Sequence, residues 1–331
     1  FLKRKNILKL FNKRKNLLEK HLKIPLFLLR DKEILEFGCN GGENACLMAL
    51  YGAKIYLAEP NLKMHKLIKN NFKKIGKIQN LKLLSGQNLE NFKSRKKFDF
   101  VIAEGFLNTL NNREKYFKKL TNYLKPKGSI IVNYDDAFGG FFELMKSFLL
   151  IKLFKILKIN RHSNESLKIA KKLFLSEFNK LKTSRNFNAW WKDQLVNPYA
   201  AKIWSFHELI KLSNKSNLFT YSTSPIFYNL NHFKWYKNII NSDLDYKKIN
   251  SDFLKSWEQS FLKIIFGRNI KQQYKLNKLV LNEIWKFINQ LCALIKDSNI
   301  SNYKVIEPKK FLFFLSKNNK KQLSNEIKKF V

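Results

Sequence analysis

The chain has 331 residues, of which 45% are hydrophobic, 15% aromatic and 27% charged. That composition can bury the core of one or two domains and excludes a collagen, a coiled-coil rod and a disordered tail. Lys and Arg number 64 against 25 for Asp and Glu, a formal net charge of +39, so the field around the protein attracts nucleic acid, anionic membrane surfaces and phosphorylated molecules without specifying a fold.

The chain is also rich in Phe and poor in Gly and Pro, and compositional drift is the expected main source of the charge. Taken in chain order, Ile7, Leu8, Leu10, Phe11, Leu17 and Leu18 keep helical spacing among Lys3, Arg4, Lys5, Lys9, Lys13, Arg14 and Lys15. Residues 1–32 therefore read as a basic amphipathic segment that covers or packs on the next domain. The interspersed cations leave no signal-peptide hydrophobic region, and a cytoplasmic location is expected. Cys39, Cys46 and Cys292 form neither an even set nor a metal-ligand spacing, so no disulfide framework or metal site is expected.

Ten of the eleven glycines lie between Gly38 and Gly140, and all six tryptophans between Trp190 and Trp285. Tight strand-to-helix turns need glycine, so residues 33–140 read as an alternating β/α core. Strands are expected at Glu33–Phe37, Lys54–Ala58, Leu81–Ser85, Phe98–Ala103 and Ser129–Asn133. Helices are expected at Glu43–Leu50, Leu62–Ile75 and Arg113–Leu124. Strands separated by helices pair in parallel through right-handed crossovers, giving a doubly wound, mostly parallel sheet.

Residues 141–230 read as a helical insertion or cap with the last strands of the sheet. It holds helices over Phe141–Leu157 and Ser166–Leu181, a helix start at the capping-box pair Ser205 and Glu208, and a strand pair Leu218–Ser222 and Pro225–Tyr228 forming an antiparallel edge. Residues 231–331 read as a helical C-terminal region, where Leu276, Leu279, Val280, Ile284, Ile288, Leu291 and Ile295 keep the spacing of one buried face. The apolar stretch Phe141–Ile159 carries Glu143, Lys146, Lys152, Lys155 and Lys158, too many charges for a spanning helix. Peripheral membrane contact through Lys152, Lys155 and Lys158, on one side of that helix, is an alternative to plain burial against the sheet.

The strongest motif is Glu36-Phe37-Gly38-Cys39-Asn40-Gly41-Gly42, where the first strand ends and a helix begins. Small residues let a ligand approach the backbone, and the helix N-terminus offers unpaired N–H groups. The dinucleotide pattern Gly-x-Gly-x-x-Gly fails, because its third position is Asn40 and its sixth Glu43. Glu59, at the end of the second strand, is a carboxylate placed to accept hydrogen bonds from both hydroxyls of a ribose bound over that loop. A solvated surface Glu ahead of Pro60 is the bland alternative.

With Phe98-Asp99-Phe100-Val101-Ile102-Ala103-Glu104 and Leu124-Lys125-Pro126-Lys127-Gly128, the order over residues 33–133 resembles the class I S-adenosylmethionine-dependent methyltransferases. The resemblance implies that Glu36, Gly38, Cys39, Asn40 and Gly42 wrap the methionine part of the cofactor and that Glu59 holds the ribose. Asn40 stands where the family usually has its second glycine; Asn tolerates left-handed backbone better than most residues. Where the family often has an acid against the adenine amino group, this chain has Ser85-Gly86-Gln87-Asn88-Leu89, leaving Gln87 or Asn88 to accept that bond. Glu104 would border the cofactor and acceptor pockets.

Methyl transfer from a sulfonium mainly requires alignment in a dry pocket. Asp135 and Asp136, after the fifth strand, are candidate bases or hydroxyl-binding groups, with helix capping as the structural alternative. His207 and His232 are further proton-transfer candidates, and a lone histidine is more often structural. Trp190, Trp191, Asp193, Asn197, Pro198, Tyr199 and Trp204 could stack on a sugar, core packing being the commoner use of such a cluster. The expected activity is methylation of a small or medium-sized acceptor, such as a sugar or lipid-linked surface-glycan precursor. Ribose methylation of RNA through the positive field is the first alternative, and a non-catalytic cofactor-fold scaffold the second. Methylation of a base amine or a pyrimidine carbon is disfavoured: Glu104-Gly105-Phe106-Leu107 replaces the amine-binding motif, and no cysteine lies near the fourth strand.

Overall fold

The computed structural model describes residues 4–107, 110, 112–134, 136–181, 186–196, 204–227, 246–266 and 274–296. The chain forms two compact units that interleave in sequence. The first comprises Phe1–Tyr134 and Phe206–Ser256, the second Asp135–Ser205 and Trp257–Val331.

The first unit is built on five parallel strands: β1 (Glu33–Phe37), β2 (Lys54–Glu59), β3 (Leu81–Ser85), β4 (Phe98–Glu104) and β5 (Leu124–Asn133). They lie in the order β3-β2-β1-β4-β5, so the order reverses beside β1, where open α/β sheets bind their ligands at the C-terminal strand ends. Helices α1 (Arg4–Asn16), α2 (Glu43–Leu50), α3 (Leu62–Lys74) and α4 (Arg113–Thr121) accompany the sheet. Ile34, Ile55, Leu57, Ala45, Ala49, Ile68, Phe72 and Leu18 are buried in one core cluster, each large side chain contributing about 1.5–3 kcal/mol of burial. At the opposite, N-terminal strand ends, Lys96 pairs with Glu33 and holds its carboxyl below the usual range. Burial raises Asp99, but the Lys125 bond and the Glu33 N–H outweigh it and keep that carboxyl low as well.

The expected strands match to within a residue at their ends except β5. The Leu124–Gly128 stretch already belongs to the ladder, because Leu124 pairs with Phe98 and, after a bulge, Ser129 pairs with Phe100. Gly128 fits only without a side chain: a Cβ there would meet the carbonyl oxygens of Lys125, Phe98 and Asp99 at 2.9, 3.1 and 3.2 Å. Gly128→Ala is expected to destabilise the protein by about 1–3 kcal/mol through overpacking. A urea-unfolding midpoint unchanged from wild type would show that the bulge yields instead.

The expected strand pair at 218–228 is not formed in its described residues. Leu218–Ser222 is irregular, its backbone held by other partners: Thr220 donates its N–H and hydroxyl to Asn250 Oδ1, and the Leu218 carbonyl accepts from Asn250 Nδ2. The hydroxyls of Tyr221 and Ser222 donate to the carbonyls of Lys23 and His21. A strand needs those backbone groups for a ladder; here one buried asparagine takes them. Tyr228 and His232 lie outside the described residues. Helix α8 (Phe206–Lys215) starts where the capping-box spacing puts it.

In the second unit, α5 (Phe141–Ile156) buries Leu150 and Phe154 among Phe174 and Phe178 of α6 (Asn164–Lys180) and Phe187 and Trp190 of α7 (Phe187–Trp190). The N-cap of α6 is Ser163, whose hydroxyl accepts from the Ser166 N–H, so the helix begins earlier than its apolar pattern alone indicates. Trp190 and Trp191 thus serve the core, while Asn197, Pro198 and Tyr199 lie outside the described residues. Phe138 packs edge-on to Trp257 and Phe261 and stacks on Trp285. Helix α9 spans Tyr246–Phe266, and α10 (Tyr274–Lys296) buries Leu281, Ile284, Ile288, Leu291 and Ile295 on its expected face. Among the described residues no helix is long and apolar enough to cross a membrane.

Candidate functional site

The loop between β1 and α2 makes three left-handed backbone steps, at Gly38 (φ +64°), Asn40 (φ +54°) and Gly42 (φ +72°). Asn40 therefore occupies the conformation that glycine usually supplies, and its substitution for the family's glycine is accommodated by the backbone preference of asparagine. The loop is tied down from outside. The Gly38 N–H donates to the Ala58 carbonyl (3.1 Å), Asn71 Nδ2 to the Gly41 carbonyl (2.9 Å) and the Asn40 N–H to Glu59 Oε2 (2.9 Å). Asn40→Gly is expected to change cofactor affinity by no more than about threefold, since the φ is available to both residues at little cost. A tenfold change in titration would show that the asparagine side chain itself contributes.

Glu59 is buried; its Oε1 accepts from the Asn61 N–H at 2.9 Å, and the Cys39 thiol donates weakly to Oε2 at 4.0 Å. A carboxylate offers about four acceptor positions, so two backbone donors fix its orientation and Oε1 keeps a position for a ribose hydroxyl, with a second on Oε2 where a hydroxyl displaces the weak thiol donor. Glu36, one residue before the end of β1, is 4% exposed, and its Oε2 has no hydrogen-bond partner among the described residues. Burial pushes this carboxyl up to about 7, against the pull of Arg14 and helped by the charges of Glu104 and Glu43. Burial, with the charges of Glu36 and Glu59, pushes the Cys39 thiol well up, so it stays a neutral thiol at ordinary pH.

Glu104 is not an exposed loop acid. Both its oxygens accept from Nη1 of Arg14, on α1, at 2.8 Å. Sequence reasoning treated Arg14 as one of a run of cations. The signal that separates it is its register: Phe11, Arg14 and Leu18 follow helical spacing, which places Arg14 within the apolar stripe.

After β3, Asn88 Oδ1 already accepts from the N–H groups of Glu90 and Asn91 and so caps a turn. Gln87, beside it, is half-buried. Asp136 Oδ2 accepts from the Gly139 N–H at 2.9 Å, the turn-capping arrangement, and Asp136 lies in the second unit. Asp135 lies outside the described residues. His207, at the start of α8, lines an open depression of about 470 Å³ with Ile210, Lys211, Asn214, Lys215 and Leu254, which shares no residue with the acid-glycine loop. Among the described residues no cluster of metal-ligating side chains occurs.

A parallel sheet in this order, with a left-handed glycine loop after β1 and a buried acid ending β2, defines a nucleoside-binding α/β fold of the class I methyltransferase kind. The chain belongs to the family of methyltransferase domains, whose model matches residues 8–200. Over 144 residues it is 29% identical to malonyl-[acyl-carrier protein] O-methyltransferase 2 of Ilyobacter polytropus, a match covering 40% of this chain and 51% of that protein. The chain thus spans about half the length of the curated relative it matches. Similar solved structures include PKMT2 from Rickettsia typhi in complex with AdoHcy (TM-score 0.45, 18% identity, 61% of this chain and 41% of that one). Another is a SAM-dependent methyltransferase from Geobacter sulfurreducens in complex with S-adenosyl-L-homocysteine (TM-score 0.31, 15% identity, 40% and 48%).

Proposed function

We propose that this chain transfers the methyl group of S-adenosylmethionine to a small or medium-sized acceptor. The observation that carries the reading is the pairing of the left-handed Gly38–Gly42 loop with Glu59, whose carboxylate is oriented by two backbone N–H groups toward ligand chemistry rather than toward a cation. The residues fit the cofactor: Glu59 has acceptor capacity left for a ribose, and buried Glu36 Oε2 has capacity for an ammonium. S-adenosylmethionine supplies a methyl carbon made electrophilic by a sulfonium. The chain's part is to hold that end in a buried environment while the acceptor attacks in line.

The acceptor class drawn from the sequence is a sugar or lipid-linked surface-glycan precursor. A second reading, a carboxylate acceptor, is favoured by two observations. The Asp136 carboxylate is engaged in a turn, and the Ilyobacter relative is named for O-methylation of a malonyl group. A carboxylate is already anionic at neutral pH and needs no base.

Titration calorimetry with S-adenosylmethionine is expected to show binding by the full chain. Methyl-group transfer is then screened against glycan precursors, carrier-bound dicarboxylates and RNA. A folded protein that binds no S-adenosylmethionine overturns the reading and favours a scaffold role.

A further inference from the structure

Helix α5 ends in a turn that presents apolar side chains to solvent. Lys155, Ile156, Leu157 and Lys158 are four consecutive exposed residues, Ile156 at 76% and Leu157 at 49%. The chain around them is anchored from within. The helix closes through a left-handed step at Lys158 (φ +54°), where the Ile159 N–H donates to the Phe154 carbonyl at 2.8 Å and the Lys158 N–H to that of Lys155 at 3.2 Å. Phe154 is buried, and half-buried Ile159 packs against the same core cluster. Further on, buried Ser166 donates its hydroxyl to the Arg161 carbonyl at 2.9 Å. A fixed turn therefore holds two large aliphatic side chains out in water, forgoing the burial that drives folding.

Cations surround the pair. Lys155 and Lys158 flank it and Arg161 follows. Lys192, just after α7, joins Arg161 in acting on His162, which desolvation and these two charges hold below its ordinary value. The acids nearby in sequence are Glu165, in the first turn of α6, and Asp193. Lys152, one turn earlier, lies over the Phe148 ring at 4.9 Å and belongs to the helix rather than to the tip. An aliphatic pair rimmed by basic side chains complements an anionic bilayer, whose acyl boundary takes the first and whose headgroups take the second. RNA offers phosphates without an aliphatic layer and is gripped by aromatic stacking, for which this turn has no ring. We propose that the turn between α5 and α6 docks on an anionic membrane surface, with Ile156 and Leu157 entering the headgroup boundary and Lys155, Lys158 and Arg161 pairing with lipid anions. The +39 field draws the chain toward any polyanion; the tip decides which part makes contact. This docking is independent of the cofactor reading.

The test is co-sedimentation of the full chain with vesicles at about 0.15 M salt, made of phosphatidylcholine alone or with about 30% phosphatidylserine. Wild type is expected to pellet with the anionic vesicles and to stay in solution with the neutral ones. Ile156→Ser combined with Leu157→Ser keeps every charge and is expected to lower the partition coefficient by about tenfold or more, through loss of the inserted aliphatic groups. Should that pair fail to fold, Ile156→Ser alone carries the test, with an expected loss of about fivefold. Lys155→Gln combined with Lys158→Gln is expected to lower the partition by about 25-fold, about fivefold per cation. The same charge loss at exposed Lys66 and Lys69 of α3 should change it by no more than about threefold. Equal losses from the two lysine pairs, with a serine variant that binds like wild type, assign the attraction to the overall field and overturn the proposal. A wild type that pellets with neither vesicle also overturns it, as do tip variants that lose RNA affinity while keeping that for vesicles.

Discussion

Glu59→Ala is expected to weaken S-adenosylmethionine binding by at least about 100-fold, the loss of two charge-assisted hydrogen bonds of about 1.5–3 kcal/mol each. The effect is large because Glu59 acts in two directions. It would face the ribose with its remaining acceptor positions, and it braces the loop by accepting the Asn40 N–H, with the Asn61 N–H on its other oxygen. Removing it leaves both backbone donors without that partner and frees the left-handed turn, so a stability loss of about 1–3 kcal/mol accompanies the binding defect. Glu59→Gln separates the two roles. It keeps the side-chain volume and one acceptor oxygen, and should recover much of the lost stability while still binding the ribose poorly. Affinity in Glu59→Ala equal to wild type by calorimetry would remove Glu59 from the ribose site.

The acids of the sheet divide into two groups. In a chain with 64 basic and 25 acidic residues, Glu33 and Asp99 at the N-terminal strand ends are matched by Lys32, Lys96 and Lys125 in ordinary surface pairs. Glu36, Glu59 and Glu104, at the C-terminal ends, are treated differently. Among the described residues two of the three have no lysine or arginine bonded to them, and the third is held by buried Arg14 of α1. Partnering by surface cations stabilises little; withholding it at buried positions has a cost that a ligand can offset.

Much of this was legible in the sequence. Short apolar runs ending in Gly38 and Glu59 mark β1 and β2, because a buried parallel strand reads as a continuous apolar run and the turn after it demands small residues. What escaped detection depended on partners distant in sequence. Arg14 meets Glu104 across 90 positions, and its role shows only when the fold brings α1 to the end of β4. Residues 218–222 have strand-like composition, yet Asn250 takes the backbone groups a ladder would use. The turn that Asn88 caps was likewise not legible, since composition cannot reveal which of two neighbouring amides is engaged locally.

The second large effect belongs to Glu36 and is read against pH. Its carboxyl, at 4% exposure, sits at about 7 in the folded protein against an ordinary value of 4.5. Burial sets the direction; Arg14 on α1 opposes it, and Glu104 on β4 and Glu43 on α2 add to it. For an acid whose folded value is raised, the stabilisation is fully present below the unfolded value and is lost as pH rises through the folded one. The window is therefore about pH 4.5 to 7, and the loss across it is about 3 kcal/mol at about 1.4 kcal/mol per pH unit. Glu36→Gln carries no proton to lose. Between pH 4.5 and pH 8 its stability relative to wild type should thus rise by about 3 kcal/mol, measured by urea unfolding of the ligand-free proteins. Binding should move the opposite way. An ammonium beside Glu36 favours the ionised carboxylate, so S-adenosylmethionine binding to wild type near pH 6 should release a fraction of a proton, detectable by calorimetry in buffers of different ionisation enthalpy. The glutamine variant should release none from this site and bind more weakly. Parallel pH profiles for the two ligand-free proteins would show that Glu36 is ionised at no cost in the folded state, and would remove the reason for reading it as a group held ready for a cation.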